Sequence, residues 1–206
     1  MKQYKCKVKT IRLVLLFACF FILGFVNNVS AQFSIGISAE QREISQFGEP
    51  EYGLGVLIEN DFKIRAPRIR FAWRAYASAF TTQTNYQDAF NVISDDPLNA
   101  SILDAGLAFL LEVKMPLFIY PYGGIGSTYE RQKFTLANQQ ASDETDLASL
   151  QNWDGNALTY DGFIGIKFSP IPLLKPYVEY RYNEYFFRDN ILPSNGRLLF
   201  GVMLEF

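Results

Sequence analysis

RLLFGVMLEF, running from Arg197 to Phe206, alternates strictly. Leu198, Phe200, Val202, Leu204 and Phe206 form one apolar row, and Arg197, Leu199, Gly201, Met203 and Glu205 form a mixed row carrying both charge signs. Alternation at period two marks a strand whose two faces meet different surroundings. About ten residues in a tilted strand cross the hydrocarbon core of a bilayer. The expectation is therefore the closing strand of a transmembrane β-barrel, and the rest of the sequence is read against it.

Seven more segments alternate in the same way. They are Phe33–Arg42, Tyr52–Asp61, Arg68–Phe80, Ser101–Lys114, Phe118–Tyr129, Ala157–Phe168 and Pro176–Phe187. The fifth leaves its facing open. Its glycines at 123, 124 and 126 suit a strand against which bulky neighbours press. Thr81–Ala100 and Glu130–Asn156 read as long polar connections, whereas Met115-Pro116 and the prolines of Ser169–Lys175 mark tight ones. Odd-numbered connections are expected to run longer than even ones. No capped helical crossover fits between segments, so the expected fold class is all-β: an eight-stranded antiparallel up-and-down barrel, long connections on one rim and short turns on the other.

The first 31 residues read as a cleaved signal peptide: a basic start (Lys2, Lys5, Lys7, Lys9, Arg12), the apolar run Leu13–Val26, and small residues at Val29-Ser30-Ala31. A retained anchor and a lipobox at Leu16–Cys19 are the alternatives. The expected barrel domain is 32–206. The signal takes five of the 19 basic residues and no acid, leaving 14 against 21, or −7. That balance argues against nucleic acid as a partner. Both cysteines, Cys6 and Cys19, fall in the signal, so the mature chain offers no thiol. Histidine is absent, and acyl transfer by serine usually needs it as the base. With no HExxH, CxxC or Walker sequence, no catalytic residue, cofactor or metal is expected. The acids Asp95-Asp96 and Asp143-Glu144-Asp146 lack EF-hand spacing and read as solvated loops.

Parity alone does not say which row faces out. A soluble lipocalin-like barrel has the same pattern with the apolar row inside. Here that row includes Phe71, Trp73, Phe109, Phe168, Tyr180, Tyr182, Phe200 and Phe206, which would overfill eight strands. The polar row is therefore assigned to the interior. Its acids are Glu40, Glu59, Asp61, Asp104, Glu112, Asp161, Glu179 and Glu205; its bases are Arg42, Arg68, Arg70, Arg74, Lys114, Lys167, Arg181 and Arg197. Eight strands leave just enough room for side chains, and an unpaired buried charge costs several kcal/mol. The expectation is a paired, plugged interior in which Arg74→Ala costs roughly 3–5 kcal/mol if it strands an acid. The long connections are acidic, which predicts divalent cations bridging them to lipopolysaccharide phosphates.

On these segments, the signal ending Val29-Ser30-Ala31 and the terminal Phe206, the sequence resembles the small eight-stranded outer-membrane β-barrels, of which the OmpA transmembrane domain and OmpX are examples. It also looks like the barrels of Bacteroidetes. The resemblance implies insertion in outer-membrane lipid, with Leu204 and Phe206 read by the barrel-assembly machinery. It leaves three roles open: a non-enzymatic surface or envelope barrel, a narrow OmpW-like or porin-like channel, and a PorT-like subunit of a secretion or assembly complex. An uneven interior charge would favour the channel.

Overall fold

The computed structural model describes residues 33–44, 50–62, 68–85, 97–136, 153–169, 171, 173–189 and 191–206, all within the unit Gln32–Phe206. The signal segment and the acids at 88, 95, 96, 143, 144 and 146 lie outside the described residues.

Eight strands form one closed antiparallel barrel in chain order: β1 (Phe33–Glu43), β2 (Pro50–Asp61), β3 (Ile69–Asn85), β4 (Pro97–Val113), β5 (Ile119–Leu136), β6 (Trp153–Phe168), β7 (Leu174–Asp189) and β8 (Gly196–Glu205). Closure removes the sheet edges, so every strand pairs on both sides. At the seam β1 meets β8 from Ser34↔Glu205 to Arg42↔Arg197. Phe33 and Phe206 add a reciprocal backbone pair, Phe206 N to Phe33 O at 2.8 Å and Phe33 N to Phe206 O at 3.3 Å. Between β4 and β5 lies one 3-10 turn, Pro116–Phe118. No helix among the described residues is long and apolar enough to cross a membrane.

The two faces separate as the alternation requires. On β1, Ile35, Ile37 and Ala39 point out, and Ser34, Ser38, Glu40 and Arg42 point in. The fifth strand, open in the sequence, turns Ile125 and Tyr129 out and Tyr122, Thr128 and Glu130 in. Outward apolar side chains are continuous around the wall, from Leu54 (73% exposed) and Ile125 (70%) to Ile164 (68%). A soluble protein does not leave so large an apolar surface in water, and the inner face is charged. The lipocalin-like arrangement is therefore not the one adopted.

Several strands reach further than the alternation indicates. β3 continues to Asn85 and β4 begins at Pro97, paired Asn85↔Pro97, so both ends of Thr81–Ala100 are sheet. β5 runs to Leu136 and β6 begins at Trp153. Their polar side chains hide the strand signal because this part of the wall stands beyond the apolar belt. The rim is consequently uneven, since the β1–β2 pairing stops at Glu43↔Pro50 and the β7–β8 pairing stops at Tyr182↔Gly196. The expected rule of longer odd connections holds only in part. Connections 86–96 and 137–152 are long, but 44–49 is no longer than 62–68. Among the described residues, each short turn on the terminal rim shows one non-glycine residue with positive φ: Arg68 (69°), Phe118 (60°) and Leu173 (74°). These left-handed positions let the chain reverse quickly at a modest energetic cost.

Candidate functional site

The barrel interior gathers most of the charge the sequence placed there. Its centre is a connected ion-pair network. Arg74 donates from Nε and Nη2 to Glu59 Oε1 at 3.0 and 2.7 Å and from Nη1 to Glu179. Lys167 Nζ donates to Glu59 and Glu112, each at 2.8 Å. Arg70 reaches Glu112 at 3.1 Å and Glu59 at 3.4 Å, and its Nε reaches Asp61 at 2.5 Å. Arg181 completes the network on Glu179 Oε1 at 2.7 Å. Four acids meet four bases, all buried except the half-buried Asp61, so desolvation is offset by several hydrogen bonds per charge rather than by isolated pairs. The guanidinium of Arg74 also lies over the rings of Tyr122 and Phe163, and that of Arg181 over Tyr76 at 3.8 Å.

A second cluster sits toward the long-connection rim. Arg42 bridges Glu130 at 3.0 Å and Asp104 at 3.4 Å, and Arg197 pairs with Asp104 at 2.7 Å. Glu40 accepts from Ser38 and Ser78, each at 2.9 Å. Asp161 is held by three hydroxyls, those of Tyr76, Thr128 and Thr159.

Two expected members do not enter. Arg68 and Lys114 are exposed. They meet through the backbone at the terminal rim, Lys114 N donating to Arg68 O at 2.7 Å, and water there solvates their cations at no desolvation cost. Glu205 lies at that rim and pairs with Lys175 at 2.6 Å. Three residues assigned to connections turn inward instead: Lys175, Glu51 and Glu130. The eight-against-eight balance is thereby corrected. Among the described residues, ten acids (Glu40, Glu51, Glu59, Asp61, Asp104, Glu112, Glu130, Asp161, Glu179, Glu205) face seven bases (Arg42, Arg70, Arg74, Lys167, Lys175, Arg181, Arg197) inside. The excess lies at the long-connection end. Extending the alternation of segment five by one residue beyond Tyr129 would have placed Glu130 inside.

Cross-strand glycines make room for the interior rings. Tyr76 stands opposite Gly106, Tyr122 opposite Gly165 and Tyr177 opposite Gly201. A Cβ at any of these glycines would collide with the facing ring. Gly124 does the same for Phe163, as the glycine run of segment five suggested.

At the long-connection end the segment before β8 folds back over the mouth. The Gln132 amide donates to Leu192 O at 2.7 Å and accepts from Leu192 N at 2.9 Å. The Tyr185 hydroxyl donates to Ser194 O at 3.1 Å and accepts from Ser194 N at 2.8 Å. Ile191 and Leu192 are buried beneath this clamp. A bulge near Leu158/Thr159 puts Tyr185 inside and leaves both Phe186 and Phe187 outside. On the outer wall, Arg131 Nε donates to Asp154 at 2.9 Å. Among the described residues no group of three or more acidic side chains is placed to hold a metal ion.

A closed eight-stranded barrel with an apolar outer belt, aromatic side chains at both ends of it and a charged, filled interior defines the class: a small membrane β-barrel. Comparison of the structure gives neighbours of that class. OprG from Pseudomonas aeruginosa matches at a TM-score of 0.53 and 12% identity, over 85% of this chain and 95% of that one. A major outer membrane protein from Thermus thermophilus matches at 0.53 and 13%, over 86% and 100%. Ail, the attachment invasion locus protein of Yersinia pestis, in complex with the heparin analogue sucrose octasulfate, matches at 0.53 and 11%, over 85% and 97%. No family model matches the sequence, and no curated protein matches it. The chain therefore has the fold of the small eight-stranded outer-membrane β-barrels.

Proposed function

We propose that this chain is a non-enzymatic outer-membrane barrel of a Gram-negative envelope, exported by residues 1–31, that acts through its extracellular end and does not conduct. The central ion-pair network carries this reading. Glu59, Arg74, Lys167, Glu112 and Glu179 bridge strands β2, β3, β4, β6 and β7 across the lumen, and a hydrated ion passing through would have to break several charge-assisted bonds at once. In outer-membrane barrels the longer loops face outward, which supports assigning the long connections to the cell exterior. Leu204 and Phe206, both outward-facing, suit the assembly signal that the resemblance implies. Lipopolysaccharide and divalent cations at the acidic connections remain part of the proposal.

One observation favours a second reading, a narrow cation-preferring channel: the acid excess at the extracellular end of the lumen. Single-channel recording from protein refolded in a planar bilayer, with folding checked by heat-dependent gel migration, separates the two. Silence from folded protein supports the plug. Reproducible discrete steps would overturn it.

A further inference from the structure

Of the inward acids, Glu51 alone has no hydrogen bond or ion pair among the described residues. It is the second residue of β2 and is 2% exposed, and neither carboxylate oxygen meets a donor or solvent. Arg42 stands directly across from it in the β1–β2 register. The Arg42 guanidinium, however, is turned to Glu130 at 3.0 Å and Asp104 at 3.4 Å. The charges that act on Glu51 are thus one base and two acids: Arg42 of β1, Glu130 of β5 and Asp104 of β4. Glu40 of β1 and Arg197 of β8 act in turn on Asp104, and the Tyr185 hydroxyl of β7 lies near Glu130 and Arg42. Phe80 of β3 lies against the Arg42 guanidinium at 5.1 Å, and β6 brings the uncharged Ala157 opposite Glu130. Glu40, Glu51, Asp104 and Glu130 therefore share two bases, Arg42 and Arg197.

Glu130 links this cluster to the segment over the mouth. Its Oε1 accepts from Gln132 Nε2 at 2.6 Å, and the same Gln132 amide holds both backbone groups of Leu192. That segment has no strand ladder, because β8 begins only at Gly196 while β7 continues to Asp189, and the wall is notched above Gly196. It is held by the Gln132 and Tyr185 side chains and by one backbone bond, Asn183 N to Asn195 O at 3.0 Å. A carboxylate buried without a donor is unfavourable, and such a group takes up a proton instead. Among the described residues no group of acids is placed to hold a metal ion, and a proton is the cation that needs no cavity. Ionised, Glu51 would set an unshared charge against Glu130 and draw water toward itself.

We propose that Glu51 is a proton-operated latch on the extracellular mouth: its carboxyl is neutral while Ile191–Asn195 is clamped down, and loss of that proton releases the segment. Closure takes up a proton that the open, solvated carboxyl does not hold above its ordinary range. Opening therefore becomes easier as pH rises, by up to about tenfold per pH unit. The latch concerns the mouth alone and works whether or not the central network conducts, so its failure would leave the plug reading standing.

The test uses full-length protein refolded in nanodiscs with a chelator present, and heat-dependent gel migration confirms that each protein is folded. Hydrogen exchange at Ile191–Asn195 is measured at about pH 5 and about pH 9, either side of neutrality. Each wild-type rate is divided by the Glu51→Gln rate at the same pH, which cancels the intrinsic pH dependence of exchange. The ratio should be close to unity at the acid value and about tenfold higher or more at the alkaline one. Infrared difference spectra of wild type against Glu51→Gln at neutral pH should show the C=O stretch of a protonated carboxyl. Glu51→Met, equally unable to ionise, should behave as Glu51→Gln and replaces it if the amide fails to fold. A ratio independent of pH, a ratio that rises on acidification, or no protonated-carboxyl band would overturn the proposal. A high ratio already at the acid value, lowered by added Mg²⁺, would assign the closure to a bound metal and overturn it too.

Discussion

Glu179→Ala should be the most damaging single truncation in the central network, and the reason is connectivity. Glu179 is the only acid paired with Arg181 among the described residues, and it also takes Arg74. Its loss strands the Arg181 guanidinium, 2% exposed, over the Tyr76 ring. Breaking a buried pair so as to strand a charge costs about 3–5 kcal/mol. Arg74→Ala, for which the sequence suggested the same figure, should cost less. Glu59 keeps Lys167 at 2.8 Å and Arg70 at 3.4 Å, and Glu179 keeps Arg181 at 2.7 Å. What is lost there is of the order of one charged hydrogen bond in net terms, about 1.5–3 kcal/mol. Equilibrium urea unfolding in lipid vesicles, followed by tryptophan fluorescence, measures both. At a slope of about 2 kcal/mol/M the midpoint should fall by about 1.5–2.5 M for Glu179→Ala and by about 1 M for Arg74→Ala. Adding Arg181→Met to Glu179→Ala should restore about 1–3 kcal/mol, the size of coupling between contacting residues. The reasoning is refuted if Arg74→Ala costs as much as Glu179→Ala, or if Arg181→Met restores nothing.

Gly106→Leu should destabilise by about 1–3 kcal/mol through overpacking against Tyr76, and Tyr76→Ala in the same chain should recover part of that loss; the same unfolding assay reads both. Gln132→Ala should free the segment over the mouth, seen as faster hydrogen exchange or proteolysis at Ile191–Asn195, and should lower global stability by about 1.5–3 kcal/mol, since the charged hydrogen bond to Glu130 is lost together with the two to Leu192. The Asp154 carboxyl is held below its usual range by the hydrogen bond and charge of Arg131. Its contribution is therefore present above the unfolded-state pKa and is lost as pH falls through the lower folded-state value; added salt should screen it, because the pair is exposed. Titrating Asp154 by NMR in wild type and Arg131→Ala, which should move its pKa back up, checks the sign.

Strand number, antiparallel order and the facing of most side chains were legible in the sequence because each depends only on period-two alternation. Phe163, Glu179 and Arg181 could be placed inside from their parity alone. Connection lengths could be judged wherever proline or a polar run broke the pattern. The ends of strands were not legible. Asn85 and Pro97 read as loop because nothing apolar marks a wall that has left the lipid, and Glu51 and Glu130 were misplaced for the same reason.

Who pairs with whom was decided only by the tertiary structure. Alternation says that Arg74 points inward; it does not say that Arg74 meets Glu59 of β2 and Glu179 of β7, because that depends on register and stagger around a closed cylinder. The opposition of Tyr76 and Gly106, the bulge that turns both Phe186 and Phe187 outward, and the notch above Gly196 likewise follow from strands of unequal length closing on one another. Periodicity is a local property of the chain and can be read along it. Register, charge partners and the shape of the rim arise from contacts between residues far apart in sequence, and only closure of the barrel determines them.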